Sequence, residues 1–226
     1  MDKSRIWIVI PAYSEAKRIG AVLEHLKSKG YTNLVVVNDG SNDNTAEVAA
    51  QYTPHVLIHA INRGAGAATK TGLEYVKQQN PEVVVTLDAD GQHSIADLES
   101  VIQPILAGNA DVVIGSRMLN PKGMPWIRQV GNLGLNIITF FLFGLWVSDS
   151  QSGFKAFSAS ALEKINIKLD RYEFCSEMIH EIRRNKLRCV EVPIKVIYTQ
   201  ESYAKGQSVI GGIKTFWGMI KRKMLN

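Results

Sequence analysis

Short apolar runs alternating with amphipathic stretches of helical length predict an α/β fold, an open and mostly parallel sheet with helices on both faces. Three observations lead there. The runs Ile6–Ile10, Leu34–Val37, Val56–His59, Val83–Leu87 and Val112–Ile114 are rich in Val and Ile and show little apolar/polar alternation, as strands covered on both faces do. The stretches between them carry apolar residues at helical spacing, which gives each parallel strand the crossover it needs. Polar, turn-forming residues then gather directly after the first four runs, at the sheet edge where folds of this kind bind ligands.

Each element can be justified in turn. The first run ends in Pro11-Ala12-Tyr13-Ser14-Glu15 and leads to a helix over Ala16–Lys29, stopped at Gly30. The second ends in Asn38-Asp39-Gly40-Ser41, and a Ser-Asn-Asp-Asn turn introduces a helix at Thr45–Gln51. The third ends in Asn62-Arg63-Gly64-Ala65-Gly66 and opens a helix over Ala67–Gln78. The fourth ends in Asp88-Ala89-Asp90-Gly91-Gln92-His93, followed by a helix over Ile95–Ala107 that stops at Gly108. After the fifth run the alternation breaks. Gly115-Ser116-Arg117 enters a loop with Pro121, Gly123 and Pro125, then Arg128, then an apolar stretch from Gly131 to Val147. The run Ile137–Val147 contains no charge and is well short of the roughly 20 residues that span a bilayer, so it reads as a buried helix or an interfacial one. Asp170–Arg188 is expected to be a helix, Val190–Ile197 a strand and Val209–Met224 a terminal amphipathic helix. No repeat, low-complexity tract or linker divides the chain, so a single domain over 1–226 is expected.

Two motifs carry chemistry by residue type alone. Gly64-x-Gly66, with Asp88 at the next strand end, invites a dinucleotide-binding reading. However, the first strand ends in Pro-Ala-Tyr and the last glycine position of that fingerprint is Thr69, which leaves a helix-capping turn near a phosphate or a purely structural turn. Asp88 and Asp90 say more. Two carboxylates one residue apart at a strand-to-loop bend can hold one hard divalent cation, Mg²⁺ or Mn²⁺, with Gln92 or His93 adding a ligand and substrate phosphates completing the shell. The alternative is an acidic turn capping the next helix, a task for which Ser94 is already placed.

In order along the chain, Ile10-Pro11-Ala12-Tyr13-Ser14-Glu15, Val37-Asn38-Asp39-Gly40-Ser41, Asn62-Arg63-Gly64-x-Gly66, Asp88-Ala89-Asp90-Gly91-Gln92-His93, Gly115-Ser116-Arg117 and Gln151-Ser152-Gly153-Phe154-Lys155 resemble the motifs of family 2 glycosyltransferases. Within that family the resemblance is to the dolichol-phosphate mannose synthase and polyprenyl-phosphate hexose synthase branch, and it covers roughly residues 5–210. It implies a GT-A fold, a nucleotide-diphosphate sugar donor of the GDP-mannose or UDP-glucose type, a divalent metal and a polyprenyl phosphate acceptor. Residues 1–115 would then form the nucleotide-sugar half and 116–226 the acceptor half with the terminal helix. By the resemblance, Pro11, Tyr13, Glu15 and Asp39 form the nucleoside pocket, and Gly64, Lys70 and Ala89 complete the donor contacts. Asp88, Asp90 and Gln92 match the metal and diphosphate site. Arg117 and Arg128 resemble the basic pair that receives the lipid phosphate, and Lys205 and Ser208 lie in a Lys-Gly-Gln-Ser segment resembling a late loop over the donor diphosphate, with Ser208 also placed toward the acceptor phosphate. Asp90, Asp149, Arg117 and Lys205 are the implied catalytic group, Asp149 serving either as a base or to orient a substrate. Two positions depart from the family pattern, Ala65 and Tyr203, where a basic residue is often found. Glu177 shares a helix with His180 and Glu181 and reads most simply as part of a solvated face.

Charge sharpens the partner question. The chain carries +5 overall, but residues 1–112 net −4 and residues 113–226 net +9. A basic half suits an anionic partner, and the final helix, with Lys214, Lys221, Arg222 and Lys223 beside an apolar face, has the layout of a helix on anionic lipid or of a domain-packing helix with a solvated basic end. No helix-turn-helix, aromatic RNA-binding strand or zinc pattern accompanies the charge, so nucleic acid is not an expected partner. Cys175 and Cys189 lack metal or redox spacing. The short Ile6–Ile10 run, ended by Pro11, is no signal sequence. The expected location is cytoplasmic, peripheral on the membrane face, with a membrane-protein partner or self-association left open.

Overall fold

The computed structural model describes residues 2–171 and 173–197. Among them, seven strands form one sheet: β1 (Ile6–Ala12), β2 (Asn33–Asn38), β3 (His55–Ile58), β4 (Val83–Thr86), β5 (Val112–Ser116), β6 (Lys155–Ser158) and β7 (Cys189–Pro193). Their order across the sheet is β3-β2-β1-β4-β6-β5-β7. β1 pairs in parallel with β2 and β4, β2 with β3, and β5 with β7, while β6 runs antiparallel between β4 and β5. The sheet is open and mostly parallel, as the apolar runs require.

Helices cover both faces, and strand alternation assigns the side chains. Ile6, Ile8 and Ile10 of β1 face one core with Leu34, Val83 and Val85, covered by α1 (Ala16–Ser28), α2 (Thr45–Ala50) and α4 (Leu98–Leu106), the last preceded by a 3₁₀ turn at Ile95–Asp97. Trp7 and Val9 face the other core with Val35, Val84 and Ile114, covered by α3 (Ala65–Lys77), α6 (Ala159–Lys164) and α7 (Phe174–Arg184). Gly72 permits the close seat of α3: a Cβ there would lie 2.3 Å from Cγ1 of Val9. The reversal in strand order at β1 and β4 opens the crevice in which such sheets bind ligands.

Four elements differ from the sequence expectation, among them α6, a six-residue helix too short to show a helical pattern. β6 was not anticipated, because a four-residue segment with Lys155 inside it gives no apolar run; it is a strand because β4 and β5 hydrogen-bond it on both sides. The helix expected from Gly131 instead begins at Trp126, just after Pro125, and ends at Phe143, where Gly144 takes a left-handed conformation (φ 73°); this is α5 (Trp126–Phe143). Of the two readings of this apolar stretch, the buried helix fails, since within α5 Asn136 and Thr139 alone are fully buried. The segment expected as a strand to Ile197 leaves its ladder with β5 at Pro193, and an isolated antiparallel bridge joins Val196 to His93 beyond it. The terminal helix over Val209–Met224, together with Lys205 and Ser208, lies outside the described residues.

Candidate active site

The four strand-end motifs meet at the carboxyl edge of β1–β4, and Asp39 is the clasp of that edge. Its carboxylate accepts the backbone N–H of Arg63 (3.0 Å) and of Gly64 (2.7 Å) and is 2.7 Å from Nδ1 of His59, whose Nε2 is 3.0 Å from Oγ1 of Thr71. Asp39 therefore builds the turn after β3 from the end of β2. Gly64 is required there: it has φ 110°, and a Cβ would come 2.5 Å from the carbonyl of Asp170. Nearby, Ser14 donates its N–H to Oγ of Ser41 (2.9 Å), and buried Glu15 donates its N–H to Oγ1 of Thr45 and accepts Nη1 of Arg18 (2.8 Å). Pro11 is partly buried, whereas the Tyr13 ring is exposed at the rim.

Asp88 and Asp90 follow β4. Oγ1 of Thr86 donates to the carbonyl of Gly153 (2.7 Å), drawing the start of β6 against the end of β4. A Cβ on Gly153 would lie 2.5 Å from both carboxylate oxygens of Asp88, so this glycine makes room for the carboxylate. Burial works to raise the Asp88 carboxyl, but the hydrogen bond and charge of His93 (Nε2 to Oδ2, 3.0 Å), with the charges of Arg117 and Lys155, hold it below the ordinary range. Asp90 is pushed the other way, first by burial and then by the charge of Asp88, against the hydrogen bond from the Gln92 backbone N–H (2.9 Å). Two carboxylates that oppose each other's ionisation at a strand end fit a hard divalent cation, which relieves that repulsion. The buried Ala89 separates them, and the Gln92 side-chain amide donates to Asp90. Among the described residues no cluster of three or more His, Cys, Asp or Glu could hold a metal, so a cation at this pair would need water and substrate oxygens to complete its shell. Ser94 makes no side-chain cap.

Arg117, after β5, is joined to Asp149 by a fork: Nε to Oδ2 at 2.7 Å, Nη2 to Oδ1 at 2.8 Å and the Arg117 backbone N–H to Oδ2 at 2.9 Å. Asp149 is fully buried, whereas Arg117 keeps part of its side chain exposed. The loop carrying Asp149 is held from β7, since Glu191 accepts the N–H and Oγ–H of Ser148, and Oγ of Ser148 is 2.6 Å from Oγ of Ser116.

The structure thus draws Asp88, Asp90, Gln92, Arg117 and Asp149 toward one locality, with Asp39 and Gly64 beside it. Lys70 is not drawn in: it lines a shallow groove of α3 with Leu162, Ile165 and Ile167. Arg128 sits half-buried in the first turn of α5. Five residues escaped the sequence reading. His93, buried against Asp88, was weighed only as an added metal ligand. His59 holds Asp39. Lys155 is buried and donates to the carbonyl of Ser152. Glu177 and Glu181 do not lie on a solvated face; both are buried, and the Glu177 carboxylate accepts the N–H groups of Lys168 (2.9 Å) and Leu169 (2.8 Å). That bond fixes the loop whose Asp170 carbonyl accepts the Ala67 N–H (3.0 Å) over the Gly64–Gly66 turn. The exposure of a helix face cannot be told from its charges when main-chain donors await them.

The family model for glycosyl transferase family 2 matches residues 7–166. The chain is 42% identical, over 99% of its length and 98% of the relative's, to a UDP-N-acetylglucosamine–dolichyl-phosphate N-acetylglucosaminyltransferase of Methanococcus voltae. It is 30% identical to the polyprenol monophosphomannose synthase of Mycolicibacterium smegmatis, over 84% of this chain and 76% of that one. Among solved structures, the glucosyl-3-phosphoglycerate synthase of Mycobacterium tuberculosis in complex with phosphoglyceric acid superposes with a TM-score of 0.68 at 19% identity, covering 95% of this chain and 79% of that one, and so shares the fold. The family match takes in every strand-end motif from Tyr13 to Asp149, and the chain therefore belongs to glycosyl transferase family 2, a glycosyltransferase with a GT-A fold.

Proposed function

We propose that this enzyme transfers a hexose from a nucleoside-diphosphate sugar to a polyprenyl phosphate, with inversion and with a divalent cation. The observation that carries the acceptor is the end-to-end similarity to the dolichyl-phosphate N-acetylglucosaminyltransferase of M. voltae, whose name adds UDP-N-acetylglucosamine to the GDP-mannose and UDP-glucose types of donor. The buried Asp149 supports the same choice. A hydroxyl acceptor needs a base to take its proton, and Asp149 is closed from solvent and committed to Arg117. A phosphate acceptor is already anionic near pH 7. Of the two roles the sequence leaves to Asp149, positioning fits the geometry.

In the reaction an acceptor phosphate oxygen bonds to the anomeric carbon as the bond to the nucleoside diphosphate breaks, so charge grows on the leaving group. Asp88, Asp90 and the Gln92 amide oxygen would hold Mg²⁺ or Mn²⁺, which when bound supplies positive charge to the diphosphate. Asp39 has used three of its roughly four acceptor directions on Arg63, Gly64 and His59, leaving one for a base N–H. Pro11, Tyr13 and Glu15 border the same pocket, with Gly64 and Ala89 lining the donor. Arg117, whose side chain is partly exposed, would receive the acceptor phosphate with Arg128, and Lys205 and Ser208 would act from the late segment. Lys70, on the α3 groove, reads as a surface residue.

α5 supports a peripheral seat on the membrane, on its cytoplasmic face. Trp126, Ile127, Val130 and Phe141 point to solvent, with Trp126 72% and Phe141 76% exposed. Among the described residues no helix is long and apolar enough to cross a membrane. An apolar outer face bounded by Trp126 and, just beyond the helix, Trp146 suits the lipid interface.

The test is direct. The purified protein is incubated with labelled UDP-N-acetylglucosamine, UDP-glucose or GDP-mannose and a short polyprenyl phosphate, with Mn²⁺ or with chelator. Label passing into the organic phase only with metal and lipid phosphate is expected; label entering only water-soluble glycans would refute the acceptor.

A further inference from the structure

α5 is mounted inside out. Its outer face is apolar, while its two fully buried side chains, Asn136 and Thr139, are polar and hydrogen-bonded. Asn136 Nδ2 donates to the carbonyl of Ser148 (2.5 Å), and its Oδ1 accepts the N–H of Ser150 (2.9 Å). One side chain thus bonds the backbone on both sides of Asp149. Thr139 lies 3.2 Å from Oγ of Ser176, which accepts Nε2 of Gln151 (3.0 Å), in the same loop. An amide suits the task at position 136 because it offers one donor and one acceptor, as a peptide group does. A carboxylate could serve only Ser150, and an aliphatic side chain neither, leaving buried main-chain groups unpaired.

We propose that Asn136 is a positioning residue for the acceptor side of the site: it fixes the Ser148–Ser150 backbone, and with it the Asp149 carboxylate that orients the Arg117 guanidinium. The order of contacts is Asn136, then the backbone flanking Asp149, then the fork to Arg117. The nucleoside end of the donor site is held separately by Asp39 and by Glu177. Loss of the Asn136 bonds therefore displaces Arg117 without disturbing the nucleotide pocket. Because α5 carries the outward apolar face, the same side chain ties the seat of that helix to the guanidinium.

The inference rests on the proposed phosphate acceptor, and the experiment separates the two. Wild type, Asn136→Asp and Asn136→Leu are compared for transfer to a polyprenyl phosphate, for binding of the nucleoside diphosphate by calorimetry, for thermal midpoint, and for hydrogen exchange in peptides covering 116–119 and 148–152. The expected result is a loss of about 100-fold in kcat/KM for the acceptor, the scale of an ångström-level misplacement. Nucleotide affinity should stay within about twofold, and protection should be lost in both peptides, the first reporting the Arg117 N–H bond to Asp149. Acceptor and donor parameters falling together, or unchanged exchange at 116–119, would overturn the proposal. If the wild type transfers nothing to the lipid phosphate, the functional reading fails, and exchange decides on Asn136 by itself: protection lost at 116–119 with nucleotide affinity kept sustains the positioning role, and protection kept sinks it.

Discussion

At the scale of single residues, the site is defined by buried charges whose partners differ. Burial and the charge of Asp88 raise the Asp90 carboxyl, so without metal the folded protein holds that proton more tightly than the unfolded chain does. Stability should then fall as pH rises from the ordinary carboxyl range through the raised value. Asp88 has the opposite sign: its contribution is present above the ordinary range and is lost only as pH falls through its depressed value. Melting curves from pH 3 to 8, with and without Mn²⁺, are expected to show the Asp90 decline only without metal. Asp90→Asn should remove both the decline and the metal-induced rise. The aspartates, Asp39 and Arg117 were legible in the sequence because their residue types follow strand ends directly. Glu177, Lys155 and His59 were not, for their partners are main-chain groups or residues brought near only by the sheet, and no local pattern marks a charge that folding will bury.

At the scale of elements, glycines set how closely the parts approach. Gly153→Ala would thrust a Cβ against both oxygens of Asp88, and because the conflict is local the expected outcome is at least a tenfold fall in metal affinity with a small change in melting temperature. Titration calorimetry with Mn²⁺ checks it. α5 offers a second case. Trp126→Ser with Phe141→Ser removes two exposed rings, each worth about 2 kcal/mol when buried in an apolar phase, so binding to anionic vesicles should weaken by at least tenfold while thermal stability holds. Co-sedimentation with such vesicles measures it, and unchanged binding would exclude α5 as the lipid-facing element. The parallel strands and their helices were legible because Val/Ile runs and helical spacing are strong signals. β6 was not, since a four-residue strand is specified by its two neighbours rather than by itself.

Across the whole molecule, the charge division acquires a location, with β3, β2, β1 and β4 of the acidic half side by side and joined to the basic half at the β4–β6 pair. The acidic half contributes Asp39, Asp88 and Asp90, whereas the basic half contributes Arg117, Arg128 and Lys155, and one sheet carries both. Because β4 and β6 pair across that division, the halves are expected not to fold apart. A fragment covering residues 1–150 lacks β6 and β7, leaving β5 with no strand partner and one edge of β4 open. Such a fragment is expected to be insoluble when expressed alone, and sedimentation of the soluble fraction tests this.

The position of β6 also has a consequence during synthesis. A ribosome adding about 5–20 residues per second finishes β5 roughly 2–8 s before it finishes β6. For that interval the first four strands can assemble, yet the valines of β4 face an empty slot. A nascent neighbour on the same message can offer its own β6 to that slot, so two chains made close together can exchange this strand. Yield should then improve when translation is slowed or spaced, because each chain is given time to fill the slot with its own strand.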